Sequence, residues 1–319
     1  MILFTADWHI KLGQKNVPIN WARNRYNMFF EQIRGLEKMC NMHIIGGDLF
    51  DRLPNMEELE IYFKFIRDVK IPTIIYDGNH EATKKNKTFF TSLKQVSRDI
   101  NPLVHIIDVS YVDEDYGFGI LPYADLHRKE SVEKFDFSNP LFTHVRGEIP
   151  PHVTAEVDLT RFEDFPVVFA GDLHSHTNTQ RNIVYPGSPM TTSFHRSKVT
   201  TGYILINPHT WGWQWEPFDL PQLLRKTISS PDEMIAGDYD HIIYELEGDL
   251  GDLANVKATE LLDKKVVKRS SEAALLLNKE MTIGQELVEY LTYILEIPES
   301  KIPDVIGIFN DYTKDLEME

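Results

Sequence analysis

Asp7, His9, Asp48, Asn79, His144, Asp172 and His174 are oxygen and nitrogen donors that recur along the first 180 residues, each close behind an apolar run. All but His144 stand in short polar segments: Asp7-Trp8-His9, Gly46-Gly47-Asp48, Gly78-Asn79-His80-Glu81 and Gly171-Asp172-Leu173-His174. Donors this far apart in sequence meet when parallel strands deliver them to one edge of a sheet. Asp7 and His9 can reach one cation if the chain turns there. Asp48 offers two carboxylate oxygens, the residue type that bridges two cations held about 3.5 to 4 Å apart. Asn79 adds a neutral oxygen, and the mixed Asp, His and Asn set suits Mn²⁺, with Mg²⁺, Fe²⁺ or Zn²⁺ compatible. The chemistry this supports is hydrolysis of a phosphoester, because coordination lowers the pKa of water by several units from about 15.7. A lone strand-end Asp is usually a turn or cap residue, and a lone His a satisfied structural group. Such groups at five successive strand ends are poorly explained that way.

The elements that must position these donors are readable from periodicity. Residues 2–6, 42–45, 72–76, 103–107, 117–121, 139–143 and 167–170 are short apolar, β-branched or aromatic runs, the pattern of strands. Between the first three, Phe29, Ile33, Leu36 and Cys40, then Leu59, Tyr62, Ile66 and Val69, recur at helical spacing. The alternation predicts βαβ units and an α/β (α+β) fold with a two-layered mixed sheet flanked by helices. Further strands are expected at 202–206 and 211–218, the latter placing Trp211, Trp213 and Trp215 on one face. After Pro217 a small α/β unit is expected, with a strand at 241–247, a helix near 252–263 and a strand at 264–268. Residues 272–319 read as two amphipathic helices split by Ile297-Pro298-Glu299, with Leu287, Leu291, Ile294 and Leu295 on the first and Val305, Ile306, Phe309 and Tyr312 on the second. The expected domains are therefore 1–217, 218–271 and 272–319.

The 319 residues carry a formal net charge of −16, which by itself argues against a polyanionic partner. The distribution weakens that objection. Residues 8–30 hold Lys11, Lys15, Arg23 and Arg25 with no acid; 82–98 hold Lys84, Lys85, Lys87, Lys94 and Arg98; 173–215 hold Arg181, Arg196 and Lys198. Each acid-free stretch follows a donor motif, whereas the last 48 residues hold 11 acids against 3 lysines. The pattern predicts a basic floor around an acidic metal centre. The single Cys40 excludes an internal disulfide framework and reads as a reduced core residue on a helix. With no membrane-length apolar run and a strand-like start, a cytoplasmic protein is expected.

The order of these motifs resembles the calcineurin-like metallophosphoesterases. Within them Asp7-Trp8-His9, Gly47-Asp48-Leu49-Phe50-Asp51 and Val184-Tyr185-Pro186-Gly187-Ser188-Pro189 are similar to the SbcD type, the nuclease subunit of SbcCD-type double-strand-break repair complexes. The short length resembles a bacteriophage version. The resemblance covers roughly the first 215 residues, with looser likeness of 218–271 to a capping domain and of 272–319 to a helix pair that grips an SMC-like ATPase. It implies one metal on Asp7, His9, Asp48 and His174 and another on Asp48, Asn79, His144 and Asp172. The family usually has His at this last position, so Asp172 is a departure. It also implies that His80 is catalytic rather than a ligand, protonating the departing sugar oxygen, with Asp51 and Glu81 as candidates to orient ligand imidazoles. His176 is read as a loop histidine. Implied partners are DNA (duplex ends, single strands or hairpins), the ATPase, and a second copy of the chain through helices at 56–69 and 86–98. No Walker A sequence occurs, so any ATP dependence would be supplied in trans. Two other readings compete: a small-molecule phosphodiesterase or phosphatase of the same fold, and a non-catalytic interaction subunit.

Overall fold

A computed structural model describes residues 1–319 apart from 85, 86, 129, 268–280, 296 and 315–319. The chain begins with β1 (Ile2–Thr5), α1 (Ile19–Glu37), β2 (Met42–Gly46), α2 (Met56–Asp68) and β3 (Thr73–Tyr76). A short hairpin, β4 (Ala82–Lys84) and β5 (Lys87–Thr88), leads into α3 (Phe90–Ile100) and β6 (Val104–Ile107). The next five elements are β7 (Tyr111–Asp113), β8 (Phe118–Leu121), α4 (Tyr123–Leu126), β9 (Leu141–His144) and β10 (Val168–Gly171). Then come β11 (Ile183–Val184), β12 (Gly202–Ile206) and β13 (Trp213–Pro217).

Two sheets form. One has the order β13-β12-β1-β2-β3-β6, parallel from β1 to β6 and antiparallel at β12 and β13. The other has the order β11-β10-β9-β8-β7, parallel except for β7. Alternation along each strand decides which layer a side chain enters. Ile2, Phe4, Ile44 and Tyr76 face Phe118, Ile120, Phe142 and Phe169 between the sheets. Phe4 is the centre of that layer, edge-on to Phe142 at 5.4 Å and to Phe169 at 6.0 Å. Leu3, Ile45 and Ile75 point the other way, onto Tyr26, Phe29, Phe30, Tyr62, Phe65 and Ile66 of α1 and α2. The outer face of the second sheet is covered by Phe135, Leu159, Phe162 and Phe165. The expected two-layered mixed sheet is therefore observed.

Local chemistry sets the helix ends. Asn55 and Glu58 close a capping box at the start of α2. Buried Glu58 also accepts from Leu12 N at 2.7 Å, tying α2 to the loop after β1. Cys40 is free and buried, but it lies just beyond the end of α1 rather than on it. Trp211 likewise departs from expectation. Its φ of +57° places it in the turn before β13, so only Trp213 and Trp215 share a strand face.

The chain resolves into two compact units, residues 1–246 with 257–264, and residues 247–256 with 265–319. The first therefore extends past residue 217 to include β14 (Leu223–Ile228), parallel to β15 (His241–Gly248). Beyond these lie α5 (Leu250–Asn255) and β16 (Leu262–Val267). The helix expected near 252–263 is shorter and earlier. Val256 turns extended at its end, and in the second unit the Lys265 ammonium takes the carbonyls of Leu253 and Val256, both at 2.6 Å. That unit also holds α6 (Ile283–Tyr293) and α7 (Ile302–Lys314), the expected pair; residues 272–280 lie outside the described residues. Among the described residues no helix is long and apolar enough to cross a membrane.

Removing the ring at the centre of the inter-sheet layer tests this packing. Phe4→Ala is expected to cost about 3–5 kcal/mol through lost transfer energy and a cavity, read as a lower urea midpoint at unchanged slope.

Candidate active site

The donor-bearing segments leave the carboxyl ends of β1, β2, β3, β9 and β10. After their strands the first two exits run together, with Asp7 N donating to Gly47 O (3.1 Å) and His9 N to Asp48 O (2.9 Å). Asp7, His9, Asp48 and Asp172 all have positive φ, at 57°, 45°, 49° and 102°. Such backbone costs roughly 1–3 kcal/mol per residue and persists only where its surroundings hold it. Glycines permit the crowding. A Cβ on Gly78 would overlap the Asp48 carboxylate and come within 2.8 Å of the His144 ring, and one on Gly47 (φ +83°) would strike His144 Nδ1.

The donors converge. His9 Nε2 lies 3.0 Å from His174 Nε2, close enough for both nitrogens to serve one ion. Asp48 reaches both sides of the site, with Oδ2 at 3.7 Å from His9 Nε2 and Oδ1 at 3.4 Å from His144 Nε2. His144 donates from Nδ1 to Gly46 O at 2.9 Å, a carbonyl that can only accept. Its Nε2 points at Asp48 and at Asn79 Oδ1, the latter 3.2 Å away. Three groups of donors have ligating atoms within 4.8 Å of one another: Asp7, His9 and His174; Asp7, Asp48 and His144; and His9, Asp48 and His80.

The electrostatics show a site short of positive charge. Burial, then the Asp48 and Asp172 charges, hold Asp7 well above the usual carboxylate range despite the neighbouring His144. Burial and Asp48 push Glu81 up to about 8. Burial alone would lower His144, but Asp48, Asp7 and Asp172 hold it well above an ordinary imidazole. Burial takes His9 down to about 3, leaving a neutral ring with its lone pair available. Acceptors facing acceptors, with protons drawn in to separate them, fit divalent cations.

Residues 1–158 match the model of the calcineurin-like phosphoesterases. Across 325 residues the chain is 38% identical to "Probable exonuclease subunit 1" of Escherichia phage T5, covering 98% of this chain and 99% of that protein. The chain belongs to the calcineurin-like phosphoesterase family. A protein of Invertebrate iridescent virus 6 named as a phosphoesterase, 244L, is 26% identical over 224 residues, 64% of this chain and 75% of that one. A phosphoesterase of this family uses divalent metal ions, which agrees with the donor set.

Against this family background some expected residues stand elsewhere. Asp172 belongs to none of the three donor groups; its carboxylate lies along Arg146, Oδ2 3.2 Å from Nε and Oδ1 3.4 Å from Nη2. Arg146 was not singled out from sequence, although its position two residues past His144 was a usable signal. Glu81 does not touch the imidazoles. It accepts the backbone N–H groups of Asp48 and Phe50 (both 2.9 Å) and of Gly78 (2.8 Å). Asp51 sits 3.7 Å from His9 Nδ1, accepts Lys11 Nζ at 2.7 Å, and through its carbonyl accepts from His80 Nδ1 at 2.5 Å. His176 stacks on Trp215 and donates to Tyr185 O, a structural role in its loop.

The basic candidates are largely paired. Arg25 is buried, with Nη1 on Thr191 O at 3.0 Å and the guanidinium over Trp21, so it cannot meet a polyanion. Arg23 pairs with Glu57 and Glu60, Arg181 with Glu163, and Arg196 with Glu245. Lys15 and Lys87 are exposed. The Lys84 side chain and Lys85 lie outside the described residues.

Two measurements follow. Glu81→Gln places an amide N–H against backbone N–H groups and should destabilise the fold by about 2–3 kcal/mol in urea titration. Because the metal-free site gathers protons on His144 and its neighbours, Mn²⁺ uptake near pH 7 should release about one proton or more per chain and weaken as pH falls. Calorimetry in buffers of differing ionisation enthalpy reads that number directly.

Proposed function

We propose that this protein is a Mn²⁺-dependent DNA nuclease with exonuclease and endonuclease action, the SbcD-type subunit of a nuclease–ATPase complex working in DNA repair, recombination or replication. The observation that carries the reading is the convergence of the two imidazoles and the bridging Asp48 at one strand edge, in a chain alike over its whole length to a protein named as an exonuclease subunit. One cation would be held by Asp7, His9, Asp48 and His174, and the other by Asp48, Asn79 and His144. When bound, the ions supply an activated water and neutralise charge on the non-bridging phosphate oxygens.

The remaining chemistry falls to the chain itself. His80 is partly exposed and not buried among the donors; its ring is held by the Asp51 carbonyl at Nδ1, and its backbone N–H donates to Asp48 Oδ1 at 3.0 Å. Its Nε2, 3.8 Å from Asp48 Oδ2, is the ring nitrogen that in the imidazolium form would hand a proton to the leaving sugar oxygen. Lys15 and Lys87, exposed among the described candidates, are read as ammonium contacts for the DNA backbone. Lys11, Arg23, Arg181 and Arg196 would have to exchange a carboxylate for a phosphate.

The assembly part of the proposal rests on apolar exposure. Ile283 (72%), Leu295 (51%) and Ile308 (60%) leave the helix-pair unit with apolar side chains open to a partner, read as the coiled-coil base of an SMC-like ATPase. Met56 at 78% and Val96 at 38% lie on α2 and α3, the proposed homodimer helices. Residues 218–271 are read as the capping segment, and the setting as cytoplasmic.

The test is digestion of end-labelled duplex DNA in Mn²⁺ or Mg²⁺, with and without the ATPase. His80→Ala should lower duplex cleavage by roughly 10²–10⁴-fold with Mn²⁺ content unchanged. Turnover of a nitrophenyl phosphodiester alongside an intact duplex would favour the small-molecule reading instead.

A further inference from the structure

The pairing of Arg146 with Asp172 is not accounted for by the roles above. The two oxygens of Asp172 face Nε and Nη2 of Arg146 side by side, at 3.2 and 3.4 Å, the planar fork geometry that guanidinium and carboxylate form together. Asp172 is 6% exposed and Arg146 40% exposed, so the carboxylate is inside and the guanidinium reaches from it toward solvent. The pair lies at the site itself, since Asp172 Oδ1 is only 3.8 Å from His144 Nε2. Both backbones are held. Asp172 N donates to both oxygens of Asp7, and Arg146 N to Glu156 Oε1 at 2.8 Å, while the other oxygen of Glu156 accepts from Tyr123.

Charge explains the arrangement. Asp7 and Asp48 already place two carboxylates on the metal side; Asp172 as a third ligand would remove one unit of the positive charge that a phosphodiester monoanion needs to meet. Arg146 cancels that charge, and Arg stays protonated at any working pH. Among the described residues its Nη1 makes no hydrogen bond, so Asp172 leaves part of the guanidinium's donor capacity unspent.

We propose that Arg146 binds a non-bridging oxygen of the substrate phosphate and that Asp172 is its positioning residue rather than a metal ligand. The proposal deepens the phosphodiesterase reading and rests on it. Loss of one charge-assisted contact weakens binding by about 10-fold or more.

The experiment is calorimetric titration of Mn²⁺-loaded protein with inorganic phosphate, together with Mn²⁺ per chain by equilibrium dialysis, for wild type, Arg146→Ala, Arg146→Lys and Asp172→Asn. Arg146→Ala should weaken phosphate binding about 10-fold or more, Arg146→Lys should recover part of it, and Asp172→Asn should weaken it severalfold, all with wild-type Mn²⁺ content. Loss of one Mn²⁺ per chain in Asp172→Asn, or phosphate binding by Arg146→Ala within about twofold of wild type, would overturn the proposal. Hydrolysis of a nitrophenyl phosphodiester by wild type is the separate check on the underlying reading. Its failure would leave the Mn²⁺ and phosphate comparisons to decide the two residue roles.

Discussion

The buried carboxylate of Glu81 is the interaction on which the site depends. It draws the N–H groups of Asp48 and Phe50, from the exit of β2, and of Gly78, from the exit of β3, onto one pair of oxygens. Two loops that would otherwise diverge are thereby held so close that Gly78 tolerates no side chain. The cost is a carboxylate in the interior, and burial with the adjacent Asp48 charge raises its pKa accordingly. Positive charge on the Asp48 side lowers that cost, so the support of the loops and the occupation of the donor cluster are energetically linked.

The same logic extends to the strained backbone. Each of the four left-handed residues at the site has its N–H satisfied by another part of the site: Asp7 by Gly47 O, His9 by Asp48 O, Asp48 by Glu81, Asp172 by Asp7. The bonds form two runs, Asp172 to Asp7 to Gly47 and His9 to Asp48 to Glu81. Four such residues at about 1–3 kcal/mol each form a reservoir that a marginally stable domain cannot hold without these ties. The strain turns the side chains sharply at the strand ends, which an extended continuation of period two could not do.

How much of this was legible depended on whether a property is local. Strand ends are local: an apolar run followed closely by a donor announces itself, and β1, β2, β3, β9 and β10 lie where the runs predicted. The inward and outward faces were legible for the same reason, since alternation fixes that Phe4 and Leu3 enter different layers. Pairings between distant segments were not. Asp172 has the right type and place for a ligand, yet its carboxylate is claimed by Arg146, 26 residues away. Glu81 read as a group for orienting imidazoles, and only the folded geometry shows three backbone N–H groups within reach.

Charge is the instructive case, because a stretch free of acids in sequence need not be free of them in space. Lys11 meets Asp51, Arg23 meets Glu57 and Glu60, Arg181 meets Glu163, and Arg196 meets Glu245, each partner arriving from another stretch. Arg196 meets a buried carboxylate, but exposed pairs such as Arg23 with Glu57 and Arg181 with Glu163 are worth about 0–1 kcal/mol. A phosphate backbone, which adds released counterions to its attraction, can displace such carboxylates. Arg25 is different in kind: it is buried, spends Nη1 on Thr191, and would have to leave the core to reach a phosphate. Burial, and not the mere presence of an acidic neighbour, is therefore what separates a basic residue that can serve a polyanion from one that cannot. By that criterion Lys11, Arg23, Arg181 and Arg196 remain able to meet a polyanion and Arg25 does not.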